Sequence, residues 1–338
     1  MVESGRWNRV LGAILIALAI AAPFFLYPVF VMEALCFALF ACAFNLLIGY
    51  VGLLSFGHAA FFGSAAYITA HTVKVWGLPP ELGILAGTAV AALLGTVFGW
   101  LAIRRQGIYF AMITLALAQM IYFVALQARF TGGEDGIQAV PRGYLFGVID
   151  LSDSLTMYYF VLAVFLIGFA IIVRTIHSPF GQVIKAIREN EPRAVSLGYD
   201  ADRYKLLAFI LSAGLSGLAG SLKSLVFQLA SLTDVQWTMS GEVVLMTLVG
   251  GLGTVFGPVV GAFLLTAMQH YLAQLGSWVT VVQGMIFVFC VLAFRRGIIG
   301  LITSYAAGRR KSTIRSPEVE VGAKPSREAG TAAAPGAG

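Results

Sequence analysis

The sequence predicts an all-α, polytopic membrane protein with about eight to ten transmembrane or half-membrane helices and glycine-broken segments in both halves. Three observations carry that prediction. Of the 338 residues, 59% are hydrophobic and only 11% charged, with a mean hydropathy of +0.87, which is more apolar surface than one soluble core can hide. Two stretches, 34–73 and 243–294, contain no Asp, Glu, Lys or Arg, and glycine interrupts each near its middle. The third is the order of the charges: basic residues fall in alternate loops instead of one patch.

Apolar runs lie near 10–32, 34–50, 55–73, 83–103, 107–127, 157–173, 206–228, 242–272 and 278–294. Most are read as helical, because lipid offers no partner for an unpaired backbone group. The first run lacks a small-residue cleavage site and is read as an uncleaved anchor. Arg6, Arg9, Arg104, Arg105, Arg174, Lys185, Arg188, Arg193, Arg203, Lys205 and the basic residues after Arg295 share one side, which the positive-inside rule makes cytoplasmic together with both termini. The opposite loops hold Lys74, Arg129 and Arg142 beside Glu81, Glu134, Asp135, Asp150 and Asp153. A charge of +6 sorted in this way favours a bilayer over nucleic acid. Residues 1–308 form the membrane domain and 309–338, rich in Ala, Gly, Ser, Pro and charge, a disordered cytoplasmic tail.

Charge parity constrains the two deserts. Glu33 and Lys74 belong on the outer side, so the first desert either crosses twice or dips in and returns. The segment between Asp234 and a final span from Trp278 to Phe294 must also cross an even number of times. Within it, residues 248–261 (LVGGLGTVFGPVVG) are too rich in glycine for one continuous helix and predict a short helix, an unwound stretch and a second helix. Residues 45–58 (NLLIGYVGLLSFGH) are punctuated comparably. Paired glycine-interrupted segments mark the substrate path of many transporters, here Asn45, Gly49, Gly52, Ser55, Gly57, His58, Gly250, Gly253 and Gly257. The ordinary counter-reading is close packing of helices on small residues.

Other polar residues have plain roles available. His58, a lone histidine among glycines, reads as either a substrate contact or a satisfied polar group. Lys223 sits inside an apolar run and is expected to snorkel to the outer surface; Glu33 and Glu242 are expected at the outer interface. Trp76, Trp100, Trp237 and Trp278 fit an aromatic belt. Cys36, Cys42 and Cys290 show no metal or disulfide spacing and read as packing residues, and with no paired carboxylates, HExxH or Ser/Lys arrangement no metal, cofactor or catalytic group is expected.

The one long basic loop carries helix signals. Ser178-Pro179 is an N-cap followed by proline at the first helical position, Glu191-Pro192 restarts a helix, and Gly198 ends it. Val183, Ile184 and Ile187 give the loop an apolar side suited to docking on a protein; the counter-reading is a solvated connector. No phosphate-cradling GxxxxGK[ST] motif occurs, so the chain has no ATP site of that type.

Three segments in one order, Asn45–Gly63, the loop Gly181–Ala194 and Gly250–Pro258, resemble the membrane permeases of branched-chain amino-acid ABC transporters, a likeness extending over roughly 34–300. The Gly132–Gly136 segment looks like the outer loop of the M-type subunit. The resemblance implies a bacterial inner-membrane importer with a second homologous permease, two ATP-binding subunits and a periplasmic substrate-binding protein. It further implies that 178–198 couples to the ATPase through Gly181, Lys185, Arg188, Glu189, Asn190, Pro192 and Arg193. Related permeases carry urea or short amides, and an ion-coupled secondary carrier is the reading from another class.

Overall fold

In the computed structural model the described residues are 19–24, 26–272 and five positions between 281 and 288. The expected span from Trp278 to Phe294, Cys290, the aromatic-belt Trp278 and the tail after 308 lie outside them or almost so. Among the described residues ten named α-helices follow one another: α1 (Pro28–Asn45), α2 (His58–Lys74), α3 (Pro80–Ala102), α4 (Ile108–Gln127), α5 (Ser154–His177), α6 (Pro179–Glu189), α7 (Glu191–Ser196), α8 (Ala201–Phe227), α9 (Trp237–Gly250) and α10 (Gly257–Leu272). Among the described residues the only sheet is a two-stranded hairpin, β1 (Tyr144–Leu145) and β2 (Ile149–Asp150). The all-α membrane architecture is as predicted. Among the described residues five stretches are long and apolar enough to cross a bilayer: 28–51, α3, α4, α5 and α8.

The first apolar run does not continue as one helix to Met32. Tyr27 is extended and Pro28 opens α1, because the residue before a proline is pushed out of the helical region. The first desert runs down and back. Phe44 packs on His58 and Phe40 on Phe62, so α1 and α2 are antiparallel neighbours of about 27 and 26 Å.

Burial, not composition, separates the apolar helices. Helix α1 is buried along nearly its whole length, whereas α3, α4 and α5 leave wide apolar faces uncovered, including Leu85, Leu93, Trp100, Met112 and Phe123. A helix apolar on every side belongs in a protein interior or in lipid. Here the first case describes α1 and the second describes the outer helices. Trp76, Trp100 and Trp237 stand exposed at helix ends, as the belt reading expects.

Helices α2, α3 and α8 approach through small residues. A methyl group on Gly220 would lie 2.0 Å from the carbonyl oxygen of Phe62, and one on Gly217 2.2 Å from Ala91. Thr69 adds a polar link, donating to the Gly83 carbonyl at 3.0 Å and lying 2.8 Å from Ser221 Oγ, whose hydroxyl can donate to it. Such contacts replace the hydrophobic drive that lipid removes.

Each end of the bundle is closed by its own set of contacts. At one end lie α6, α7, the turn after α3 and both glycine breaks. At the other, Ile137 and Ala230 form an antiparallel bridge, Lys74 Nζ donates to the Gln138 carbonyl at 2.6 Å, and Arg142 donates to the Val226 carbonyl at 2.9 Å.

The snorkelling expectation for Lys223 is overturned. Its ammonium, 12% exposed, turns inward onto the carboxylate of Asp234, 1% exposed. Asp234 also accepts from the backbone and hydroxyl of Ser231, each at 3.2 Å, in the capping box of a short 3-10 turn. Asp234 supplies the counter-charge that a cation with so little exposure needs. Glu33 and Glu242 are half-buried at the same end, with Glu242 accepting from Gln269 at 3.2 Å.

Candidate functional site: the junction of the two broken segments

Each desert unwinds over six residues, 52–57 and 251–256, and the fold brings the two breaks together. The first opens through a wide π-type turn at Leu46–Val51 and ends at Gly52, with φ +85°. The second ends α9 at Gly251 and turns through Gly253, with φ +71°. Both conformations favour glycine, since a Cβ would strain them.

Asn45 ties the breaks. Its Nδ2 donates to the Thr254 carbonyl at 2.9 Å and its Oδ1 accepts from the Gly253 N–H at 3.0 Å, so one buried amide satisfies a donor and an acceptor that unwinding released. Gly49 makes this possible. A methyl there would sit 2.2 Å from Asn45 Oδ1 and 2.8 Å from the Gly253 nitrogen.

The loop helices lie directly against this junction. Ser178 caps α6, its Oγ accepting from the Gly181 N–H at 3.2 Å, and Pro179 occupies the first turn. Gly181 lets that turn lie on the end of α5, where a Cβ would be 2.3 Å from the Thr175 carbonyl oxygen. Asn190 breaks the path and caps α7 by accepting from the Arg193 N–H at 3.1 Å, while Gly198, φ +90°, ends it. Arg188 reaches from α6 to donate to the Gly49 carbonyl, and its stem crosses Gly52. Lys185 also turns inward, lying 5.5 Å from the centre of the Tyr50 ring and donating to the Ile176 carbonyl at 3.2 Å. Of the seven expected coupling residues, Arg188, Glu189, Asn190, Pro192 and Arg193 are exposed; Arg188 still reaches the junction, while Glu189, Pro192 and Arg193 are joined on the outside by Val195, Leu197 and Tyr199.

The remaining path residues are packed. Ser55 Oγ accepts from the Gly57 N–H at 3.1 Å, and Phe56 N–H donates to Thr114 Oγ1 at 3.1 Å. Gly250 and Gly257 meet backbone to backbone, a methyl on Gly250 lying 1.9 Å from the Gly257 carbonyl oxygen. His58 is fully buried among Phe44, Phe61 and Phe209. Its Nε2 lies 2.9 Å from Ser212 Oγ, whose own proton goes to the Ala43 carbonyl at 2.6 Å. Nε2 therefore carries the proton in this arrangement, and the buried Nδ1 has no hydrogen-bond partner among the described residues.

Sequence reading missed one cluster. Glu191, at the start of α7, accepts from Lys205 Nζ of α8 at 2.6 Å and from Gln106 Nε2 of the α3–α4 turn at 2.8 Å. Lys205 is 3% exposed and the Glu191 side chain 26%. Around the pair, Ile187, Ala194 and Ala201 form a small apolar core with Val183 and Tyr204. Phe180 stacks on Tyr204 with ring centres 5.6 Å apart. Helices α6 and α7 and the first turn of α8 thus hold together as one unit. The isolated basic residue at the start of an apolar run was the available signal for Lys205.

A family model described as branched-chain amino acid transport system / permease component matches residues 29–291. The chain is similar to the high-affinity branched-chain amino acid transport system permease protein LivM of Escherichia coli, 26% identical, the match covering 75% of this chain and 65% of LivM. It is also similar to BraD, a permease protein of the corresponding system in Pseudomonas aeruginosa, 23% identical over 78% of this chain and 91% of BraD. The ribose import permease protein RbsC of Bacillus subtilis is 27% identical over 66% of this chain and 70% of RbsC. The chain thus spans just under two thirds of the length of LivM. No solved structure matches it. With most of the chain covered by one family model and its three motifs meeting at one junction, this protein belongs to the permease components of branched-chain amino-acid transport systems.

Proposed function

We propose that this chain is the membrane-spanning subunit of an ATP-driven importer that moves branched-chain or similar hydrophobic amino acids from periplasm to cytoplasm. It works in a bacterial inner membrane with a second homologous permease, two ATP-binding subunits and a periplasmic substrate-binding protein. The α6–α7 end is cytoplasmic, as its basic loops require, and the termini lie on that side. The observation that carries the reading is the contact of Arg188 with Gly49, which joins the loop helix to both broken segments.

The outward residues Glu189, Pro192 and Arg193, with Val195, Leu197 and Tyr199, fill a groove on the ATPase, a short amphipathic helix seated by its apolar side chains. ATP-driven movement of the ATPase carries α6 along. Arg188 then pulls on the Gly49 carbonyl, and Asn45 passes the displacement to Gly253 and Thr254. The junction is the inner gate: its backbone groups pair with each other when shut and are free to meet the charged ends of an amino acid when parted. ATP shifts the balance because the ATPase holds α6 differently in its two states. The buried charge pair that would suit an ion-coupled carrier, Lys223–Asp234, is neutralised internally and built into a turn.

Reconstitution of the full complex tests this. Leucine-loaded binding protein should stimulate ATP hydrolysis and uptake, and R188A should keep ATPase activity while losing most of the uptake. Stimulation by urea-loaded but not leucine-loaded binding protein would move the substrate to short amides. Uptake by the purified chain alone, driven by an ion gradient, would overturn the reading.

A further inference from the structure

The β1–β2 hairpin, at the end opposite α6, shows an apolar tip that the transport reading leaves unused. Its underside is fixed: Leu145 and Leu151 are buried, and the Phe146 N–H donates to Glu81 Oε1 at 3.2 Å. Its outer side is bare among the described residues, with Tyr144 59%, Phe146 73% and Val148 83% exposed.

The turn itself is unusual. Val148 N–H donates to the Leu145 carbonyl at 3.1 Å, closing a tight turn whose central residues, Phe146 and Gly147, have φ of +51° and +72°. That geometry suits Asn-Gly, and a bulky aromatic residue in its first central position is sterically disfavoured. Backbone strain that places an aromatic ring at a tip points to a use for the ring.

The surroundings name the occupant. Glu81 lies in the first turn of α3, and Leu85, one turn further on the same face, is 64% exposed. Leu93, Val97 and Trp100 continue the uncovered apolar surface of this bilayer-crossing helix. The hairpin therefore extends a lipid-facing surface past the start of the helix to headgroup depth, where Tyr and other aromatic rings are favoured. We propose that Phe146, Tyr144 and Val148 are embedded in the lipid interface of the leaflet opposite α6, anchoring the loop between α4 and α5 over that end of the bundle.

The test places an environment-sensitive fluorophore on V148C, with Cys290 replaced by Ala; Cys36 and Cys42 are buried. The full complex is held in nanodiscs of phosphatidylcholine brominated near the headgroup end of its acyl chains. The expected result is quenching by the brominated lipid several-fold stronger than by aqueous iodide. F146N supplies the residue this turn prefers, so it should fold as well as the parent and reverse that ratio. Stronger quenching by iodide than by lipid in the unsubstituted hairpin would overturn the proposal. So would shielding that appears only when soluble binding protein is added, which would assign the tip to a protein partner.

Discussion

Replacing Glu191 by Ala leaves the Lys205 ammonium, 3% exposed, without its counter-charge. Breaking a buried pair from one side costs about 3–5 kcal/mol, and the quarter exposure of Glu191 moves the expectation to the lower end, about 3 kcal/mol. Lys205→Met is milder. The orphaned carboxylate keeps its bond from Gln106 and its share of solvent, so about 1 kcal/mol is expected. Removing both charges with E191L/K205M should leave the protein within about 1 kcal/mol of the parent, because two apolar side chains of similar size can replace a buried pair. The single variants are therefore non-additive by about 3 kcal/mol. Thermal melting of the purified protein in detergent reads this directly, at about 2 °C per kcal/mol for a large domain. Lys205→Met melting as low as Glu191→Ala, or a double variant no better than the worse single one, would refute the claim that the ammonium depends on this carboxylate.

Two further expectations concern other places in the fold. Asn45→Ala orphans the Gly253 N–H and the Thr254 carbonyl, two partly buried backbone groups, at about 1–3 kcal/mol each, and should raise hydrogen exchange at 251–254 before the protein melts. No such local opening would show that Asn45 does not hold the breaks together. Asp153 caps α5, and its carboxyl is held below the usual range, chiefly by the hydrogen bond from the Thr156 backbone and then by that from the Thr156 hydroxyl. A depressed folded value makes this stabilisation present above the ordinary carboxylate pKa and lost as pH falls through the depressed one. The melting difference between parent and Asp153→Ala should thus be seen at neutral pH and disappear in acid; a difference that persists there would contradict it.

Local chemistry was legible in the sequence, and long-range pairing was not. The caps of α6 and α7 could be read from Ser178-Pro179, Asn190-Glu191-Pro192 and Gly198 because each signal and its effect lie within one turn. Both glycine breaks were visible for the same reason. That they touch was not, since Asn45 and Thr254 are 209 positions apart and neither has a pattern that names the other. Lys223 misled because hydropathy reports depth without direction, and depth alone does not separate a side chain reaching outward from one turned onto Asp234. Hydropathy could not place α1 inside the bundle for a related reason: protein interior and hydrocarbon select the same residues.

The near-contact of Gly220 with the Phe62 carbonyl, and of Gly217 with Ala91, limits how this molecule can change shape. Backbones that close leave no slack for one helix to rotate or slide past another without prising the three apart, so α2, α3 and α8 travel as a single block. In the transport cycle proposed above, alternation between the two facing forms is then a displacement of α1 and the α9–α10 pair against that block, with the broken segments as the yielding seam.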